Sequence, residues 1–226
     1  MERPILFSGP MVRAILDGRK TQTRREIKKG KPSGLWGRDA KLGESRLFFP
    51  SENAPAGAVP WWECGGINGA NEYCPYGPLG EILWVKEKFA VENKSYIEEY
   101  KREPWRGIPD RDTARTFYAA DKVNESCGIK WVSPRFMPKW ASRIKLKIVS
   151  VRVERLQSIT EADAIAEGIY FDHDFDGYVS DNEGRHYHGN SAVRSYEHLW
   201  HSINGPESWE QNPWVWVIEF RNVSPI

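Results

Sequence analysis

The chain has 226 residues, of which 40% are hydrophobic and 28% are charged, a composition typical of folded globular domains and not of disordered chains. The formal net charge of +1 gives no sign of a polyanionic partner, and no apolar run reaches the length of about 18 residues that a membrane-spanning helix needs. Because the N-terminus also lacks the residue order of a signal peptide, we expect a cytoplasmic protein with no membrane partner. Three cysteines predict free thiols, not a disulfide framework.

The N-terminal region predicts a strand, a helix and a second strand. Residues 5–7 form a short apolar run. Ser8 is a suitable N-cap, and apolar residues at helical spacing follow it until Gly18 ends the helix. The stretch from Lys20 to Arg25 favours an extended strand, in which successive side chains point to opposite faces.

The middle of the chain predicts two further strands and a second helix. Residues 82–85 are typical of a buried strand. Residues 144–153 alternate as a long strand with a change of phase near Ser150, which predicts a bulge or a bend. Thr160 and Asp163 have the spacing of a capping box, which predicts that a helix begins there.

The C-terminal region predicts a helix from Ser191 to Asn204 and a closing strand over residues 214–220. Strands outnumber helices and do not alternate regularly with them, so we predict an α+β fold: a small mixed β-barrel with flanking helices, in a single domain over 1–226. The core segments are about 3–27, 79–92, 141–170 and 191–222, and long irregular insertions occupy about 28–78, 92–135 and 171–190.

Basic residues are concentrated in two stretches of this nearly neutral chain. Residues 13–31 carry a net charge of +6, and residues 135–147 contain five basic residues and no acid, with Phe136 and Trp140 between them. Clustered cations favour a phosphate-bearing partner, and aromatic rings beside them can stack on bases. The alternative is a solvated basic face. The candidate nucleic-acid-binding residues are Arg19, Arg24, Arg25, Lys139 and Arg143.

One of these stretches resembles a known family. The run from residue 18 to residue 25 is similar to the G-x-K-x-x-T-x-R pattern of the ASCH family, at Gly18, Lys20, Thr23 and Arg25. Further segments that resemble the family, in its order, are 80–85, 159–168 and 216–220, and together these pieces cover roughly a third of the chain. The segment 136–143 is similar to part of the long ASCH-like proteins of phages and prophages.

The resemblance implies a PUA-like barrel and a nucleic acid or a nucleoside bound in a cleft. One compact branch of the family is similar to a hydrolase that removes the acetyl group from the exocyclic amine of acetylated cytidine. The catalytic residues of that branch fall on Lys20, Thr23 and Glu167 of this chain.

These three residue types suit amide hydrolysis, which needs a nucleophile, a base and an acid for the leaving amine. Thr23 is suited to attack, Lys20 to activate it if its pKa is lowered, and Glu167 to carry the proton. On a straight strand, however, Lys20 and Thr23 point to opposite faces. A bulge or turn at Thr21–Gln22 is therefore required.

Two other functions remain open at this stage. One is a non-catalytic nucleic-acid-binding module, in which the same cations only bind phosphates. The other is a ribonuclease, in which Arg24 and Arg25 stabilise a phosphorane-like transition state. The expected partner is RNA or a nucleoside, with DNA not excluded; the sequence does not decide the oligomeric state and suggests no cofactor.

An acidic run further along the chain fits the calcium-loop pattern D-x-D-x-D-G-x₅-E. Its carboxylates are on Asp172, Asp174, Asp176 and Glu183. Glycines after this run argue against the exiting helix of an EF-hand, and the alternative is a β-hairpin that turns at Asp176 and Gly177.

A zinc site is the weaker of the two metal hypotheses. The four ligands would be Cys64 and Cys74 together with two histidines, either His186 and His188 or His198 and His201. The cysteines lack the close spacing of zinc ribbons and fingers, so we predict no metal at these residues.

Overall fold

The computed structural model describes residues 2–27, 74–92, 115–121, 130–174, 176–180 and 190–224. Its elements in chain order are β1 (Glu2–Leu6), α1 (Gly9–Leu16), β2 (Gln22–Glu26), β3 (Ile82–Lys86), β4 (Phe89–Glu92), β5 (Arg115–Tyr118), β6 (Lys145–Arg155), α2 (Glu161–Ala166), β7 (Tyr170–Asp172), β8 (Gly177–Val179), α3 (Ala192–Asn204) and β9 (Trp214–Asn222).

The main sheet has five strands in the order β1, β3, β6, β9, β2. The β1–β3 pair is parallel and the other three pairs are antiparallel. The register of β6 against β9 shifts between Ile148 and Ser150, where we predicted a bulge from the change of phase. The predicted α+β class is confirmed, and the four predicted core segments supply all five strands.

Strand β9 lies inside the protein and is buried on both faces. Trp216, Ile218 and Phe220 belong to a core that also includes side chains of α1 and β3. Val215 and Val217 belong to a second core, formed with α2 and α3. Strand β9 contributes to both cores because its side chains alternate between the two faces of the sheet.

The sheet is open within the described residues, since β1 and β2 are its edge strands and no ladder of hydrogen bonds joins them. The closed barrel that we expected is therefore not formed there. One side chain nevertheless bridges the two edges. Arg25 on β2 donates from Nη2 to the carbonyl oxygen of Leu6 on β1 at 2.6 Å, and its guanidinium lies 5.2 Å from the ring centroid of Phe7.

The helices begin where the sequence predicted. Ser8 is at the N-cap of α1, although its side chain makes no capping hydrogen bond. The capping box of α2 is complete: Thr160 Oγ1 accepts from the Asp163 amide, and Asp163 Oδ2 accepts from the Thr160 amide. Ser191 caps α3 through the amide of Arg194. Among the described residues, no helix is long and apolar enough to cross a membrane.

The predicted insertions lie largely outside the described residues. Residues 28–73, 93–114, 122–129 and 181–189 are not described. The third predicted insertion begins with the hairpin of β7 and β8, in which Asp172 is paired with Gly177.

Candidate active site

The segment before β2 contacts the C-terminal end of α2. A helix end leaves its last carbonyl groups without partners inside the helix. Here the amide of Thr21 donates to the carbonyl oxygen of Ala166 at 2.9 Å, and Lys20 Nζ donates to the carbonyl oxygen of Glu167 at 2.7 Å. The lysine therefore comes to the glutamate because its own segment caps the helix that ends there.

Gly168 permits this close approach. Its φ is +103°, a conformation that L side chains rarely adopt, and a Cβ built there would lie 3.2 Å from Ala14 Cβ and 3.4 Å from Lys20 Cβ. The contact with Ala14 is tighter than ordinary van der Waals distance, and the contact with Lys20 is at its lower limit. A side chain at this position would push Lys20 away from the end of α2.

Lys20 and Glu167 form a buried ion pair. Lys20 Nζ lies 2.8 Å from Glu167 Oε2, and the side chains are 0% and 3% exposed. Strand β2 starts at Gln22, so Lys20 precedes the strand and does not follow its alternation. The bulge or turn at Thr21–Gln22 that would bring Lys20 and Thr23 to one side stays a prediction.

The surroundings of Lys20 lower the pKa of its amine. Burial is the largest effect and lowers the pKa of Lys20 below its usual value; the neighbouring Arg25 and Arg24 lower it further, while Glu167 opposes them. An amine that donates two hydrogen bonds to Glu167 keeps one more position on nitrogen. In the neutral form that position holds a lone pair, which can accept a proton.

Thr23 lies on β2, is 3% exposed, and lines the same cavity as Glu167. This cavity of about 60 Å³ lies between β2 and α3, and Tyr196 and Trp200 form part of its wall. Burial, and next the charge of Glu167, raise the pKa of Tyr196 well above its usual value, so its hydroxyl stays protonated. The sequence placed Tyr196 and Trp200 only on the apolar stripe of α3, because periodicity does not distinguish a core wall from a cavity wall.

A second, smaller cavity adjoins the first. It has a volume of about 20 Å³ and is lined by residues around the start of α1, together with Arg19 and Ser180. Met11, Glu167 and Leu199 contribute to the walls of both cavities. Glu167 therefore lies between two hollows that only a few side chains separate.

Arg24, a predicted nucleic-acid-binding residue, is surrounded by carboxylates. Its side chain is 0% exposed; Nη2 lies 3.2 Å from Glu154 Oε2 and 3.3 Å from Asp163 Oδ2, and Nη1 lies 3.5 Å from Glu167 Oε1. Nothing in the sequence pointed to Glu154 and Asp163 as its partners. Arg24 is thus part of the buried charge cluster of the site.

Arg19 and Arg25, two more of the predicted nucleic-acid-binding residues, already contact other groups of the protein. Arg19 Nη2 lies 2.9 Å from Asp17 Oδ2, and its guanidinium lies 4.7 Å from the ring centroid of Tyr170. Arg25 bonds the carbonyl oxygen of Leu6, as described above. Both flank the cavities, Arg19 the smaller and Arg25 the larger.

Arg143 and Lys139, the remaining two, also pair with acids. Arg143 bonds both Glu87, through Nε at 2.9 Å, and Asp121, through Nη2 at 2.7 Å, and it lies over the Tyr118 ring. The exposed Lys139 pairs with Glu2 at 3.1 Å. The predicted role of these residues in binding nucleic acid stays a prediction, but their positive charges already have partners.

The calcium hypothesis falls partly outside the described residues, because Glu183 is not described. The alternative β-hairpin is present, and within its turn the amide of Asp174 donates to Asp172 Oδ1 at 2.9 Å. Asp176 has a positive φ of 50°, as turns of this kind require.

The zinc hypothesis also depends on residues that are not described, Cys64, His186 and His188. Cys74 is buried, and burial raises the pKa of its thiol to about 11, which disfavours the thiolate that binds metals. The one described group with ligand atoms close together is Glu197, His201 and Glu210, within 4.8 Å of one another. His201 Nε2 lies 3.5 Å from Glu210 Oε2, the geometry of an exposed ion pair.

Comparison with models of protein families, with curated proteins and with solved structures finds no match for this chain. The chemistry of the site is therefore inferred from its own residues.

Proposed function

We propose that this protein is an ASCH-type hydrolase of the PUA-like class that cleaves the amide of N-acetylated cytidine. The observation that carries the proposal is the buried pair of Lys20 and Glu167, together with a cavity whose wall includes both Glu167 and Thr23. Lys20 and Thr23 are close in the sequence, and Lys20 is hydrogen-bonded to Glu167, which is 147 positions further along the chain.

In the first step, the hydroxyl oxygen of Thr23 attacks the carbonyl carbon of the acetyl group. The neutral amine of Lys20 accepts the hydroxyl proton, and a tetrahedral intermediate forms. The intermediate collapses when the bond between the carbonyl carbon and the exocyclic nitrogen breaks. That nitrogen takes a proton, relayed from Lys20 through Glu167, and cytidine leaves.

In the second step, water hydrolyses the acetyl ester on Thr23. Glu167 accepts a proton from the water as the water oxygen attacks the ester carbon, and it returns this proton to the Thr23 oxygen when the ester bond breaks. The other water proton leaves with acetic acid, which releases it to the solvent to give acetate. The products are acetate and the free enzyme. Glu167 Oε1 suits this role because it has no hydrogen-bond donor among the described residues.

The larger cavity is small, so a substrate would have to be small too and would enter through movement of side chains. The larger cavity holds only a few water molecules as it stands, since one water needs about 10–15 Å³ of such space. Met11 and Leu199 stand between the two cavities, and an unbranched methionine changes rotamer readily. A nucleobase on one side of Glu167 and an acetyl group on the other would use both hollows.

The charges around the site favour a neutral amide over a phosphodiester. Glu154, Asp163 and Glu167 surround the guanidinium of Arg24 and would repel a phosphate there. A ribonuclease that uses Arg24 to stabilise its transition state would first have to remove these carboxylates. The amide hydrolase needs no such rearrangement.

The sheet supports the PUA-like part of the proposal. Its two edges approach each other closely enough for Arg25 to bond the backbone of Leu6, and β6 carries a bulge that lets a sheet bend. A sheet that curls until its edges meet through a side chain is close to a barrel.

The test is incubation of the purified protein with N-acetylated cytidine, with release of cytidine followed by chromatography. Thr23→Val keeps the shape and removes the hydroxyl, so we expect at least a 100-fold loss, in line with the 10²–10⁴-fold contribution of groups that handle protons and nucleophiles. The matched control is Thr21→Val, at an exposed neighbouring position, which should keep wild-type activity.

Single-stranded RNA is incubated in parallel, and both binding and cleavage are measured. Cleavage of RNA without release of cytidine would overturn the proposal in favour of a nuclease. Salt-sensitive RNA binding with neither activity would overturn it in favour of a binding module. Full activity in Thr23→Val would show that the hydroxyl is not the nucleophile.

A further inference from the structure

Arg24 occupies a variable position of the G-x-K-x-x-T-x-R pattern. Its guanidinium contacts carboxylates from two elements: Glu154 on β6, and Asp163 and Glu167 at the two ends of α2. A side chain with no exposed surface and three acidic neighbours is fixed in position. Its Nη1 lies 3.5 Å from Glu167 Oε1, a contact that is electrostatic and not a hydrogen bond.

The two contacts on α2 are on the same helical face. Asp163 and Glu167 are four residues apart, the spacing at which side chains of a helix are neighbours. Asp163 also completes the capping box with Thr160, so its carboxylate marks the start of the helix. One guanidinium therefore contacts both the first turn of α2 and the residue that follows its last turn.

Arg24 is also the sequence neighbour of Thr23. Side chains paired across an antiparallel ladder share a face of the sheet, and β2 pairs Thr23 with Ile218 and Arg24 with Val217. Arg24 thus extends from β2 toward α2 and α3, the side on which Val217 packs, whereas Thr23 belongs with Ile218 to the other face of the strand. Any shift of Arg24 along the strand would move the backbone that carries Thr23.

We propose that Arg24 is the positioning residue of this site. Its guanidinium fixes the carboxylate of Glu167 relative to the hydroxyl of Thr23, so that this carboxylate stays shared between Lys20 and Arg24. The inference rests on the hydrolase proposed above. Lysine at position 24 would keep the charge but could not bridge Glu154, Asp163 and Glu167, since an ammonium lacks the fork of a guanidinium.

The second half of the proposal concerns the charge on Lys20. Glu167 gives one oxygen to each cation, Oε2 to Lys20 and Oε1 to Arg24. The charged and titratable groups that act on Lys20 are Glu167 from the end of α2 and Arg24 and Arg25 from β2, and Tyr196 on α3 faces Glu167 in turn. Arg24 lowers the pKa of Lys20 in two ways. Its positive charge repels the ammonium directly, and its contact with Glu167 weakens the attraction between Glu167 and Lys20.

The experiment measures the pKa of Lys20 directly, by NMR titration of protein labelled with ¹³C at the ε-carbon of lysine. Arg24→Gln should raise this pKa, because a repelling charge is gone and Glu167 interacts with Lys20 alone. Lys20→Met identifies the resonance. Arg152→Gln is the matched control, because Arg152 bonds Glu154 and Asp163 and has no recorded contact with Glu167.

The same variants are assayed for hydrolysis across pH. A base must be neutral to accept a proton, so the acidic limb of kcat/KM should move to higher pH in Arg24→Gln, with about a tenfold loss below the limb for each unit of increase in the pKa. The limb of Arg152→Gln should stay in place even if its overall rate falls. Equal movement in both variants, or in neither, would overturn the proposal.

Arg24→Lys covers the case in which Arg24→Gln does not fold. It keeps a positive charge near Lys20, so the pKa of Lys20 should change little, whereas kcat should fall at least tenfold because Glu167 is no longer fixed. Wild-type kcat in Arg24→Lys would overturn the positioning role. The titration needs no substrate, so an inactive wild-type protein would refute the hydrolase while still testing Arg24.

Discussion

Lys20 Nζ donates hydrogen bonds to both the carbonyl oxygen and the carboxylate of Glu167, a residue 147 positions further along the chain. Neither side chain has appreciable contact with solvent. Two charges removed from water lose several kcal/mol of hydration each, and their attraction only partly offsets that loss. The pair is therefore expected to weaken the fold compared with apolar residues of the same size, which is consistent with a role in chemistry.

The first prediction is a double-mutant cycle on this pair. Glu167→Met should destabilise the protein by about 3–5 kcal/mol, because it leaves the buried ammonium of Lys20 without the carboxylate that pairs with it. Lys20→Met should cost less, because Glu167 keeps Arg24 at 3.5 Å. The double variant should be as stable as the wild type or more stable by about 1–4 kcal/mol. The free energy of unfolding from urea denaturation is the measurement, and a double variant that loses the sum of the single losses would contradict the expectation.

The second prediction concerns Gly168, with Gly18 as its matched control. Both have positive φ, but a Cβ at Gly18 meets nothing within 4 Å, whereas one at Gly168 meets Ala14 and Lys20. Gly18→Ala should cost about 1–3 kcal/mol from backbone strain alone. Gly168→Ala should lose a further 1–3 kcal/mol or so from overpacking, and it should also lower hydrolytic activity, because Lys20 is displaced.

Urea denaturation and the acetylcytidine assay measure the two effects separately. Equal losses of stability in the two variants would show that the close approach of Gly168 to Lys20 has no energetic consequence. Unchanged activity in a folded Gly168→Ala protein would argue against any role for the Lys20 position.

The third prediction is a pH dependence that arises from Cys74. Burial raises the pKa of this thiol from its ordinary value of about 9.0 to about 11. Between these two values the folded state holds a proton that the unfolded state has released, so stability falls as pH rises. The loss across this interval should be about 2–3 kcal/mol.

Unfolding of the wild type and of Cys74→Ala is compared at pH 8.5, 9.5 and 10.5. Other groups also titrate in this range, and the difference between the two proteins isolates the contribution of Cys74. Parallel curves for the two proteins would show that burial does not hold the thiol proton.

The fourth prediction separates a structural from a nucleic-acid-binding role for Arg143. Removal of its guanidinium in Arg143→Met leaves Glu87, which is 1% exposed, without its cation. We expect a loss of about 3–5 kcal/mol in stability. The control is Lys139→Met, at a lysine that is 57% exposed, where the loss should stay within about 1 kcal/mol.

Binding of single-stranded RNA as a function of salt provides the second measurement. A phosphate contact contributes close to one unit to the slope of log affinity against log salt. We expect Arg143→Met to leave this slope unchanged. A slope that falls by about one unit in a folded variant would assign Arg143 to phosphate binding.

Local pattern was sufficient for most of the elements. The capping box at Thr160, the N-cap at Ser191 and the bulge near Ser150 each depend on a few adjacent residues, and each is present. Whether the five-stranded sheet closes into a barrel could not be predicted from such local patterns. Whether β1 and β2 pair as neighbours or only meet through Arg25 depends on the curl of all five strands, which no local pattern reports.

The candidate site likewise has features that the sequence predicted and features that only the tertiary structure shows. The resemblance of short segments to a known family singled out Lys20, Thr23 and Glu167, and local pattern predicted the strand that carries Thr23 and the helix whose C-cap is Glu167, because residue types and short spacings are properties of the chain. Only the tertiary structure decided what each charge faces. It placed Arg24 among three carboxylates and Lys20 at the end of α2, because the partner of a buried charge is set by packing between distant segments.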